Sequence, residues 1–123
     1  MRHIPLIKAQ IDTASLTFGI DCGAGNNLID SKRWDEFESM LRRVKTTKLK
    51  GISNDEGSEV HVGKLKRIKI GGKTFRHTQT VFNNISHFNR NKDERIDGLI
   101  GYEVLSRQKT ILSYKNKKLI FIK

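Results

Sequence analysis

Apolar residues along this chain come in short runs broken by turn-forming residues, a pattern of many short strands rather than long helices. Residues 4–11 alternate loosely and predict an edge strand, where Pro5 near the start is tolerated. Residues 12–15 make a tight turn into a second strand, 16–20, which ends on Asp21. A glycine-rich turn follows, Cys22-Gly23-Ala24-Gly25, and Leu28 and Ile29 resume the apolar pattern. Asp30 or Ser31 can then cap a helix in which Trp34, Phe37, Leu41 and Val44 recur at three- and four-residue steps. Lys32, Arg33, Asp35, Glu36, Glu38 and Arg42 fill its other face, and Arg42 and Arg43 suit the negative end of the helix dipole. Trp34 reads as a core anchor rather than a ligand platform.

Two hairpins are predicted next. The first has arms 46–52 and 58–65 around the polar tip Ser53-Asn54-Asp55-Glu56-Gly57. Val60, Val62 and Leu65 mark its second arm, although Gly63 interrupts the periodicity. The second joins 67–70 to 74–82 through Gly71-Gly72. Residues 83–95 are polar and rich in Asn, so a loop is expected. A short buried strand follows at 96–100, then a helical turn at 102–107. Residues 109–114 and 118–122 pair through Lys115-Asn116-Lys117. No repeat, low-complexity block or linker divides the chain. The expectation is a single domain, 1–123, mostly β, folded as a small and mainly antiparallel barrel with one or two short helices.

Composition narrows the class. A chain of 123 residues with 36% apolar and 30% charged residues is a soluble, one-domain chain with a modest core. No apolar run approaches membrane-spanning length, so no membrane partner is expected. The start, Met1-Arg2-His3-Ile4-Pro5, lacks the apolar stretch of a signal peptide, which predicts a cytoplasmic protein; a removed leader or a parent polyprotein stays open. The 24 Lys+Arg against 13 Asp+Glu give a net charge of +11, which invites a nucleic-acid reading. The basic residues are nevertheless spread along the whole chain, without the interleaved aromatics of a single-strand-binding surface. A solvated lysine-rich face explains them better.

Candidate chemistry centres on Asp21. An acid at the end of a buried strand is costly unless hydrogen-bonded, and glycines directly after it let backbone N–H groups approach. Asp before Gly also opens ordinary turns, so on this stretch alone both readings stand. The single cysteine, Cys22, excludes an internal disulfide. No histidine is placed beside it by the sequence, which disfavours a thiol nucleophile. His3, His61, His77 and His87 show no ligand spacing, so neither a metal nor another cofactor is expected.

The stretch Gly19-Ile20-Asp21-Cys22-Gly23-Ala24 resembles the active-site loop of retropepsin-like aspartic proteases, whose motif is apolar-apolar-Asp-Thr/Ser-Gly-Ala. Downstream, Asp97-Gly98-Leu99-Ile100-Gly101-Tyr102-Glu103-Val104-Leu105 is similar to the apolar-apolar-Gly segment and short helix of the same family. The tail from Lys109 to Phe121 resembles its closing hairpin. The resemblance covers the chain from about residue 4 to 122. It implies the acid-protease fold, a closed β-barrel, with Asp21 as the catalytic acid and Cys22, Gly23 and Ala24 in the active-site loop. It further implies a substrate flap at Ile52, Ser53, Asn54, Asp55, Glu56 and Gly57, and support for the site from Leu99, Ile100 and Gly101. Such proteases activate water between two carboxylates that share a proton. A chain with one such motif and no room for two lobes therefore implies a homodimer acting on peptide or protein substrates, with residues 4–7 and 119–122 supplying interface strands. Cys22 departs from the family's Thr or Ser, and a thiol is a weaker donor than a hydroxyl. That leaves two further readings beside the endopeptidase: a catalytically weak or inactive peptide-binding module of the same fold, and a basic nucleic-acid-binding barrel.

Overall fold

Two tight turns set the first contacts. Asp12, at φ 56°, turns the chain between its first two strands, and Gly71 and Gly72, at φ 55° and 83°, turn it between two long ones, as two-residue hairpin loops require. The computed structural model describes residues 5–21, 23–48, 59–86, 95–107, 109–113 and 118–122. The strands are β1 (Leu6–Ile11), β2 (Ala14–Ile20), β3 (Asn27–Asp30), β4 (Leu41–Lys48), β5 (Glu59–Ile70), β6 (Lys73–Asn83), β7 (Gly98–Ile100), β8 (Lys109–Ser113) and β9 (Lys118–Ile122). Between β3 and β4 lie two 3-10 turns, Ser31–Arg33 and Glu38–Met40, flanking the one-turn helix α1 (Trp34–Phe37); α2 (Tyr102–Leu105) follows β7.

Six strands close into a barrel in the order β1-β2-β7-β3-β6-β5, and β5 returns to β1 through Ala9↔Ile70 and Gln10↔Lys69. The fold class expected from the sequence, a mostly β closed barrel with two short helices, is the one observed. Most pairs are antiparallel, but β2–β7 and β3–β6 are parallel. β8 and β9 pair antiparallel in a separate sheet. Inside the barrel, Ile11, Leu16, Phe18, Ile29, Leu65, Ile68, Ile70, Phe82 and Ile100 are fully buried, with Phe37 and Val104 against them. Each such side chain contributes about 1.5–3 kcal/mol of transfer free energy, so the barrel interior is the main source of stability.

Several elements differ from the sequence reading. The helix expected to run through Val44 ends at Met40, and Leu41 to Lys48 is strand. Arg43 takes φ 54°, incompatible with a continuing right-handed helix, and the β4–β5 register shifts between Arg42 and Lys45, a bulge. Leu41 is still buried, but on a strand face, whereas Val44 is exposed. The arms expected at 58–65 and 67–70 are one strand, because the pairing of β5 with β6 runs in a single register from His61 to Ile70. β1 is not a free edge: β2 flanks it along its length and β5 closes on its second half. Trp34 does anchor packing. Its ring stacks on His61 at 3.9 Å and 7°, and meets Phe82 edge-on at 5.0 Å.

Candidate active site

β7 lies between β2 and β3, pairing Ile20↔Ile100 on one side and Leu28↔Leu99 on the other. The loop from Asp21 to Asn26 leaves β2 and enters β3, so it must cross the end of β7. This topology brings together the two segments that stand apart in the sequence. The Asp21 N–H donates to the Ile100 carbonyl at 3.0 Å, Tyr102 N–H to the Ala24 carbonyl at 2.7 Å, and Glu103 N–H to the Gly25 carbonyl at 3.1 Å. The Gly101 N–H donates to Asn27 Oδ1 at 3.3 Å. Within the loop, Ala24 N–H donates to the Asp21 carbonyl at 3.1 Å and Gly23 N–H to Asp21 Oδ1 at 3.0 Å.

Asp21 is thus half-buried at a strand end, its backbone tied on both sides and one carboxylate oxygen held by an amide. A charge-assisted bond of this kind orients the carboxylate. The close crossing depends on two glycines. A Cβ at Gly101 would sit 2.5 Å from both the Ala24 and Asn26 carbonyl oxygens, and one at Gly98 would lie 1.9 Å from the Leu28 oxygen. Any larger residue at either place would push the loop or β3 off β7.

Of the residues singled out in the sequence, Asp21, Gly23 and Ala24 therefore meet Leu99, Ile100 and Gly101 in one layer. Leu99 is buried with Ile85 and Ile96, and Leu6 and Leu28 pack on that cluster. Cys22 and the flap positions Ile52, Ser53, Asn54, Asp55, Glu56 and Gly57 lie outside the described residues.

Asp97, directly before Gly98, has a different place. Asp97 N–H donates to the Thr17 carbonyl at 2.7 Å, and the Asp97 carbonyl accepts from Asp30 N–H at 2.8 Å. Its Oδ2 accepts the Thr17 N–H at 2.8 Å, and its Oδ1 pairs with Arg33 Nε at 3.2 Å. Both oxygens are engaged in holding β2 to the end of the 3-10 turn that follows β3. Sequence reasoning overlooked Asn27, a fully buried amide that ties β3 to Gly101. A polar residue directly before the apolar pair Leu28-Ile29 was the available signal. The role of Glu103 was missed too: its Oε1 accepts from Gln79 N–H at 3.1 Å and from Arg107 at 2.9 Å, fastening α2 to β6.

The family model for aspartyl proteases matches residues 7–104, and the chain belongs to that family. Among solved structures, it is similar to the retroviral protease-like domain of Ddi1 from Leishmania major, with 12% identity, a TM-score of 0.61 and coverage of 98% of this chain and 90% of that one. It is similar to a retropepsin-like aspartic protease from Rickettsia conorii at 20% identity, TM-score 0.59, covering 94% and 80%. It is also similar to the EIAV protease in an inhibitor complex, at 16% identity, TM-score 0.55, covering 87% and 89%. No curated protein matches the sequence significantly. The fold is retropepsin-like, and family membership supports a protease-type, hydrolytic function. Among the described residues no helix is long and apolar enough to cross a membrane.

Proposed function

We propose that this chain is one protomer of a homodimeric aspartic endopeptidase in which Asp21 from each copy activates a water against a peptide carbonyl. The observation that carries the reading is the tie between Asp21 N–H and the Ile100 carbonyl, with Gly23 N–H on the carboxylate. Together they present an oriented carboxylate at the end of a buried strand. One such carboxylate per chain cannot share a proton with itself, and the chemistry needs two close acids with one proton between them. A two-fold axis beside the loop supplies the second. In that arrangement the unprotonated oxygen takes a proton from water while the protonated acid donates to the peptide carbonyl, and the pair titrates as a unit. The peptide or protein substrate lies across the two loops.

The test is peptide turnover by the wild-type chain and by Asp21→Asn. The amide is nearly isosteric but can neither act as base nor share the proton. Turnover is expected on the acid side of neutrality and to fall by at least about two orders of magnitude in the variant, with an unchanged circular dichroism spectrum. Equal turnover in both would assign the chemistry elsewhere. A folded wild-type dimer that binds peptides without cleaving them would favour the binding-module reading, for which Cys22 in place of the family's Thr or Ser is the supporting feature.

A further inference from the structure

The outer face of the barrel carries a feature that the hydrolytic site does not use. On β1, Lys8 and Gln10 are exposed while Ala9 and Ile11 are buried; on β5, Arg67 and Lys69 are exposed beside buried Ile68 and Ile70. This is the ordinary alternation of a strand. Because Gln10 pairs with Lys69, the two exposed sets lie side by side. Three depressions cross this face and share their walls. One of about 480 Å3 is lined by Leu6, Ile7, Lys8, Thr17 and Arg95. The next, of about 250 Å3, shares Lys8 and adds Gln10 and Lys69. The third, of about 230 Å3, shares Gln10 and Lys69 and adds Arg67 and Asp12.

Among the described residues, four cations line this groove against one carboxylate, Asp12, a stronger imbalance than the 24 to 13 of the whole chain. Among the described residues, none of Lys8, Arg67, Lys69 and Arg95 pairs with a carboxylate. Lys8 Nζ instead donates to Thr17 Oγ1 at 2.5 Å, which holds it over the groove. The carboxylate of Asp97, two residues after Arg95, is taken by Arg33 and Thr17.

We propose that this groove docks an acidic, partly apolar segment of a protein substrate. Unpaired cations, three of them (Lys8, Arg67 and Lys69) on adjacent strands of one sheet, favour carboxylates at little ordering cost. Leu6 and Ile7, both half-buried and paired within the chain to Gly19 and Phe18, give the largest depression an apolar wall for an aliphatic side chain next to an acidic one, at the end of the groove nearest the strands expected to form the dimer interface. Among the described residues no aromatic side chain lines any of the three depressions, so those residues offer a single-stranded nucleic acid no stacking platform. That the ligand is a substrate rests on the peptidase reading; the docking itself does not.

The test uses the full chain carrying Asp21→Asn and a fluorescein-labelled octapeptide of alternating Glu and Leu, followed by anisotropy. Saturable binding is expected, weakened roughly tenfold by Lys8→Glu and by Lys69→Glu, the loss of one charge-assisted contact each. Lys32→Glu, on the 3-10 turn away from the groove, changes the net charge equally and is expected to leave binding unchanged. The same peptide with Gln for Glu is expected not to bind. Lys8→Gln and Lys69→Gln, with circular dichroism, separate lost charge from lost fold. Equal weakening by Lys32→Glu would reduce the effect to bulk charge and overturn the proposal. Displacement of the peptide by a thymidine oligonucleotide at lower concentration than by unlabelled peptide would overturn it in favour of nucleic acid. Docking in a chain whose wild type cleaves no peptide supports the groove and defeats the peptidase reading; turnover without docking does the reverse.

Discussion

The backbone N–H of Asp21 meets the carbonyl of Ile100 at 3.0 Å, joining the end of β2 to the end of the parallel strand β7. Everything at the candidate site hangs on this crossing: the loop returns over Gly101, and α2 starts from the loop's own carbonyls.

Gly101→Ala tests how close that crossing is. Its Cβ would meet two backbone oxygens at 2.5 Å, and neither can rotate away as a side-chain end could. A loss of about 1–3 kcal/mol is expected from overpacking, read by urea unfolding. Peptide turnover should fall further than stability alone accounts for, because the strain is released by moving the Asp21 loop. An unchanged unfolding midpoint would mean that the loop can shift freely.

Asp97 should behave as a strut, not as a second acid. Asp97→Ala leaves the Thr17 N–H without its acceptor and is expected to cost about 1–2 kcal/mol. The Arg33 pair adds little to this, since both side chains are about 30% exposed. Asp97→Asn keeps an oxygen for Thr17 and should cost less. Turnover per folded molecule should survive both changes; its abolition by Asp97→Asn would give Asp97 a chemical role.

Trp34 links the helical turns to the barrel through its stack on His61 and its edge contact with Phe82. Trp34→Ala is expected to destabilise by about 2–3 kcal/mol, somewhat below the cost for a fully buried aromatic, whereas Trp34→Phe should retain most of the stability. Chemical denaturation of the two variants decides whether the stack or only the volume matters.

Association should depend on salt. Each protomer carries +11, a dimer twice that, and self-repulsion opposes pairing when screening is weak. Sedimentation across a salt series is expected to show dimer growing with ionic strength. A chain that stays monomeric at high concentration and moderate salt would remove the second carboxylate from the proposed mechanism.

Local chemistry determined what the sequence could determine alone. The turn residues around Asp12 and Gly71-Gly72 marked their hairpins, and the apolar runs marked most strands. The motif around Asp21 and the segment Leu99-Ile100-Gly101 stood out because each needs its residue types within a few positions. Tertiary structure decided the rest. Leu41 suits a helical face and a strand face equally well, and only pairing with Leu65 on β5 and the left-handed Arg43 chose the strand. The closure of β1 onto β5 and the parallel pairing of β2 with β7 join residues far apart in the chain, and no local period encodes such partners. The same holds for Asp97 and Asn27. Their side chains read as a turn acid and a loop amide until the fold places Thr17, Arg33 and Gly101 within hydrogen-bonding reach, because a polar side chain's role is set by what faces it and not by its neighbours in sequence.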